Sequence, residues 1–186
     1  MSTTATPLLS KTPSLAYRGL EAMGMAELEQ VFLRGTTPEL DQLVGWQFRG
    51  CNTPSWAKLV GIKKFIKGFF RDENGQIMGY NCPVHQDKLS APWRAKPSDS
   101  APKRFGFYTV TDVDPTARDN AYLHAVLLDY SQGDNPMLDP SKGLRDYVVQ
   151  VYADNPDLLL GKAYYALGPT RIATSFFILE RDRQAN

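Results

Sequence analysis

Apolar residues recur at two different periods along this chain. Between residues 14 and 34 they return every three or four positions, at Leu20, Met23, Leu28, Val31 and Phe32, with Glu21, Glu27 and Glu29 between them. That spacing predicts an N-terminal helix with one apolar face. Gly35 stands where a C-terminal cap belongs, and Gly19 and Gly24 are places where the segment can divide. From residue 41 onward the period falls to two, the signature of strands. In the first strand, 41–51, Val44, Trp46 and Phe48 share one face while Gln47 and Arg49 share the other.

Strands two and three form a hairpin. Residues 63–71 run in, Asp72-Glu73-Asn74-Gly75 turns, and 76–84 run out; Asn-Gly between alternating runs is a strong hairpin signal. Pro54 to Val60 reads as a short helix after the first strand. Residues 83–103 carry four prolines and no periodicity, and so long a loop is expected to be a cover. Five more strands are predicted near 104–112, 121–130, 144–154, 157–167 and 171–183. Asp114-Pro115, Gly133-Asp134-Asn135-Pro136, Asn155-Pro156 and Gly168-Pro169 separate them.

The expected fold is therefore mainly β: an eight-stranded antiparallel up-and-down barrel, with an N-terminal helix and a short helix after strand 1. Residues 1–13 are Thr/Ser/Pro-rich and expected to form a disordered arm, and 14–186 a single barrel domain. Several strands are apolar on both faces: Ile172, Phe176 and Ile178 alternate with Ala173, Phe177 and Leu179. A bare barrel in water should show one apolar face only. Part of the outer wall must then be covered, by the 14–34 helix or by a second copy of the chain, which makes a homodimer a candidate assembly.

Composition narrows the classes. The 186 residues are 42% hydrophobic and 22% charged with a net charge of +1, so no strong field steers the chain to nucleic acid. No apolar run reaches the length of a membrane-spanning helix. The first residues lack the basic and apolar regions of an export signal, so a cytoplasmic location and reduced thiols at Cys51 and Cys82 are expected.

Eight strands with Gly45-Trp46 near the start of the first resemble the calycin superfamily, which includes lipocalins and fatty-acid-binding proteins. The chain is also similar to bacterial families of unknown function named for a Gly-x-Trp-x-Gly motif. Here glycine and tryptophan are adjacent, and the next glycine, Gly50, stands four positions after Trp46. The resemblance implies that an arginine near the end of the last strand packs over Trp46. Arg171, Arg181 and Arg183 are the candidates. It also implies a small hydrophobic or amphipathic, fatty-acid-like ligand in the barrel interior.

Candidate chemistry is sparse. Trp46, Phe48, Tyr108, Tyr122, His124, Tyr147 and Tyr164 are the expected ligand-binding residues, because Tyr offers an apolar body with one hydroxyl. The plainer reading is that aromatic residues favour strands in any case. His124 is either a polar anchor or a histidine half-buried against a neighbour. His85 reads as a solvated loop residue. Two isolated histidines make no metal site, and neither a phosphate-binding loop nor a dinucleotide fingerprint occurs, so no metal and no cofactor is expected. Arg49 and Lys162 fall mid-strand, and facing inward either would need a carboxylate partner. A binding module is favoured over two alternatives: an isomerase or cyclase acting on a lipid-like substrate, with His124 and a tyrosine as acid and base, and a barrel filled by its own side chains that serves as a protein-interaction module.

Overall fold

The structure, a computed structural model, describes residues 9–53 and 61–185. Eight antiparallel strands close into one barrel in chain order, each paired with its sequence neighbour and the last with the first. They are β1 (Trp46–Asn52), β2 (Lys64–Arg71), β3 (Ile77–Pro83), β4 (Phe105–Asp112), β5 (Val126–Asp129), β6 (Leu144–Tyr152), β7 (Asn155–Leu167) and β8 (Thr170–Gln184). The fifth strand is shorter than its sequence pattern suggests. Residues 121–125 are irregular, and Asp129 ends the strand by accepting from the Ser131 amide at the start of a 3-10 turn. The short helix expected at 54–60 lies outside the described residues.

The single helix expected over 14–34 is two helices, α1 (Leu15–Ala22) and α2 (Met25–Arg34). Ser14 caps the first through its hydroxyl, and the Glu27 carboxylate caps the second by accepting from the Gly24 amide at 2.8 Å. A third helix, α3 (Leu40–Leu43), takes up the start of the stretch 41–51 whose alternation predicts the first strand. Gly45 follows it at φ +82°, a left-handed turn that suits glycine and swings the chain from α3 into β1.

Registers define two faces. Facing pairs such as Phe48 with Lys67, Lys67 with Asn81, Gly79 with Tyr108, and Gly161 with Phe177 point into the lumen. The opposite set, with Cys51, Ile66, Tyr80, Cys82, Tyr147, Val149, Leu160 and Ile178, makes a second apolar cluster on the outer wall. Tyr17 and Leu20 of α1 and Leu28 and Phe32 of α2 bury themselves in it. So does the 84–103 segment, whose Trp93 donates its indole N–H to the Gly50 carbonyl at 3.0 Å. The long loop thus covers the wall of the barrel. Its anchor is Lys64, whose ammonium is fully buried, lies 4.2 Å from the Trp93 ring centroid and is bonded to Asp87 and to the Lys88, Ala91 and Pro92 carbonyls.

Arg49 and Lys162 both face outward and still meet carboxylates, because these elements cover them. Arg49 pairs with Asp182 at 2.8 Å and with Glu180, and it donates to the Ser10 carbonyl. The Ser10 carbonyl thus lies against β1, and the Ser14 amide donates to Glu180 of β8. Lys162 meets Glu29 of α2 at 2.6 Å. Among the described residues no helix is long and apolar enough to cross a membrane.

Candidate functional site

Three inward glycines shape the lumen. A Cβ on Gly50 would stand 2.3 Å from the Phe65 ring, one on Gly79 2.1 Å from Tyr108, and one on Gly161 2.0 Å from Phe177. Each large ring therefore lies against the strand wall over a glycine. At the α3 end the lumen is closed: Phe48, Phe69, Val126, Val148, Leu159 and Leu179 are wholly buried, and Leu43 of α3 joins their cluster. Phe48 and Phe69 meet edge to face at 5.5 Å between centroids.

The other half of the lumen is polar at its centre. Lys67 projects from β2 and Asp146 from β6, on the far side of the barrel, and their charged atoms meet at 3.3 Å. Asn81 of β3 and Tyr130, just after β5, complete the group. Lys67 donates to Asn81 Oδ1 at 3.1 Å, to the Tyr130 hydroxyl at 2.5 Å and to Asp146 Oδ2. Tyr130 donates to the same Asp146 Oδ2 at 3.1 Å. The Asn81 amide donates to the Gly106 carbonyl and to the Tyr130 hydroxyl. Aromatic rings enclose the ammonium, with the Tyr108 centroid at 4.6 Å and that of Phe177 at 5.2 Å. One polar atom is left over: Asp146 Oδ1 is buried and has no hydrogen-bond partner.

Burial dominates the electrostatics. Desolvation lowers the Lys67 pKa, against the pull of Asp146. Desolvation raises that of Asp146, opposed by Lys67 and by the Tyr130 hydroxyl. The Tyr108 and Tyr130 phenols are raised well above their ordinary range, mainly by burial. The rim of this half keeps slight exposure, Phe65 at 8%, Ala163 at 7%, Ser175 at 8% and Asn81 at 9%, and Ile77 at the α3 end keeps 7%.

The residues singled out from sequence divide into groups. Phe48 and Tyr108 line the lumen, Tyr108 donating to the Tyr80 carbonyl at 3.4 Å. Trp46 stands at the α3 end under Arg181, whose guanidinium carbon is 4.6 Å from the indole centroid. Arg181 also donates to the Gln42 carbonyl of α3 at 3.0 Å and pairs with Asp157. Arg171 is remote from Trp46: it binds Asp119 near the β7–β8 turn. Arg183 reaches Asp99, Asp182 and the Trp93 carbonyl.

Tyr122, His124, Tyr147 and Tyr164 lie outside the barrel, in the cluster on the outer wall or against α2, so they do not line the interior. Strand 5 begins only at Val126, which removes Tyr122 and His124 from the alternation that had placed them with Val126 and Leu128. Tyr122 and Tyr164 share a hydroxyl hydrogen bond of 2.7 Å, and Lys162 donates to Tyr122 at 2.7 Å. Burial and the Tyr122 hydroxyl push the Tyr164 phenol up to about 12, against the Lys162 charge. His124 Nε2 stands 3.2 Å from the Phe32 carbonyl, with its ring against Phe32 and Tyr122. His85 borders a surface cleft of about 480 Å³ with Pro83, Lys96, Pro97 and Lys103.

Lys67, Asn81 and Asp146 were missed as site residues. Parity could have found the first, since Lys67 alternates with Phe65 and Phe69 on one face of β2. Among the described residues no cluster of three or more histidine, cysteine or acidic side chains is placed to hold a metal ion. No family model, no curated protein and no solved structure matches this chain.

Proposed function

We propose that the protein binds a small amphipathic, lipid-like molecule in the half of its barrel away from α3, with the polar head at Lys67, Asn81, Tyr130 and Asp146. The observation that carries this reading is the unpartnered Asp146 Oδ1 inside an aromatic enclosure. A buried ion pair contributes less stability than well-packed apolar residues of the same size. A buried acceptor left unbonded costs about 1–3 kcal/mol or more. Retaining both inside a wall of aromatic residues is understandable if the open position serves a ligand. Rings lying flat over Gly50, Gly79 and Gly161 keep bulk against the walls, and the rim beside Phe65 and Ser175 offers the approach.

The placement of Arg181 over Trp46 supports the calycin resemblance, in which an arginine near the end of the last strand packs over the tryptophan of the first. That kinship rests on architecture and on these few residues. His124 lies outside the lumen, which disfavours the acid–base chemistry built on it.

Native mass spectrometry of protein purified from cells, with extraction of released small molecules, tests the reading. A reproducible apolar compound, displaced in a Phe177→Trp variant that adds bulk to the half of the lumen away from α3, is the expected result. Bare protein that also fails to bind a fluorescent fatty-acid or fatty-alcohol probe would overturn it.

A further inference from the structure

The polar group in the lumen is selective about what it can still accept. An ammonium carries three N–H bonds, and all three of those on Lys67 are engaged, by Asn81 Oδ1, the Tyr130 hydroxyl and Asp146 Oδ2. The Asn81 amide nitrogen has two acceptors, and the Tyr130 hydroxyl has already given its proton to Asp146. No donor in the group is free, and the one unbonded atom is an acceptor, Asp146 Oδ1.

Charge points the same way. The group holds one cation and one anion in direct contact, so it is neutral as a whole. A carboxylate or phosphate head entering it would find no free N–H. It would also stand beside a carboxylate oxygen in a desolvated site, where like charges repel strongly. A hydroxyl head meets neither difficulty. It gives its proton to Asp146 Oδ1, and its oxygen adds no net charge to the lumen.

We infer that the ligand's head is an uncharged hydrogen-bond donor, such as an alcohol, and that the barrel discriminates against the fatty acid of the same chain length. This rests on the binding reading above, and it narrows that reading to a ligand class at one atom, Asp146 Oδ1.

The test is a calorimetric titration of the full chain with octan-1-ol, octanoate and methyl octanoate, which share a chain and differ only at the head. Alcohol binding at least about tenfold tighter than either of the others is expected, since one good hydrogen bond to a charged acceptor is of that size. In Asp146→Asn the open atom becomes an amide donor, so preference should pass from the alcohol to the ester. Circular dichroism and a thermal melt establish that this variant is folded; if it is not, the three ligands on the natural chain still decide. Octanoate binding as well as or better than octanol overturns the head-group inference and leaves the binding barrel standing. Equal affinity for all three also overturns it, since the head is then not read. A chain that binds none of them while retaining a co-purified compound of another kind overturns the inference alone. One that binds none and carries nothing overturns the binding reading with it.

Discussion

Arg181 lies over the indole of Trp46, and its Nη1 donates to the Gln42 carbonyl of the helix that closes the barrel. One side chain thus joins the last strand, the first strand and α3. Arg181→Ala removes a desolvated cation–π contact and a charged hydrogen bond, and should cost about 2–4 kcal/mol in urea unfolding. Arg181→Lys should recover less than half of that, because an ammonium cannot both stack and donate in the guanidinium's fixed plane. Full recovery by lysine would show that charge alone matters there.

Lys67 and Asp146 should behave as a unit. Lys67→Met strands a buried carboxylate and should cost roughly 3–5 kcal/mol, as should Asp146→Leu for the converse reason. The double variant should lie much nearer the natural chain than either single one. Denaturant titration of all four proteins checks this, and simple additivity of the two losses would refute the coupling.

Gly161→Ala drives a Cβ to 2.0 Å from the Phe177 ring. The expected destabilisation is about 1–3 kcal/mol. Adding Phe177→Leu should restore part of it by freeing the space over the alanine. If Gly161→Ala is neutral by thermal melting, the ring over the glycine has room to shift.

The two thiols should be silent at pH 8. Burial pushes both Cys51 and Cys82 up from 9.0 to about 11. Iodoacetamide should modify neither in the folded protein and both after unfolding. The linked effect on stability has a definite sign. Between pH 9 and 11 the unfolded chain releases these protons while the folded chain keeps them, so the unfolded state binds fewer protons and stability falls as pH rises. The raised phenols of Tyr17, Tyr108 and Tyr130 add to the loss above pH 10, while Lys67, whose pKa is lowered, opposes it. A Cys51→Ala, Cys82→Ala variant should show a shallower alkaline decline in its denaturation midpoint.

Much of the fold was legible because alternation and turn residues are local signals. Asn74-Gly75 marked the first hairpin, and the two-faced apolar pattern of the last strands announced the cover that α1, α2 and Trp93 provide. The site was far less legible. Lys67, Asn81, Tyr130 and Asp146 come from four separate stretches of chain, and only closure of the barrel brings β2 against β6 across the lumen. Tyr122 and His124 misled for the opposite reason: their alternation with Val126 continued past the point where β5 begins. The helix at 40–43 was hidden because Leu40-Asp41-Gln42-Leu43 is a single turn, too short for periodicity to separate helix from strand.

The seam between β1 and β8 also governs how this protein can be made. Every other strand pairs with a neighbour that leaves the ribosome next to it, but Cys51 must wait for Ile178, in the last strand of the barrel. Until then the growing molecule is an open sheet with two bare edges, each able to capture a strand from another chain. Loss of residues 177–184 would hold it permanently in that condition. For this barrel, delivery of β8 and safety from aggregation are the same event.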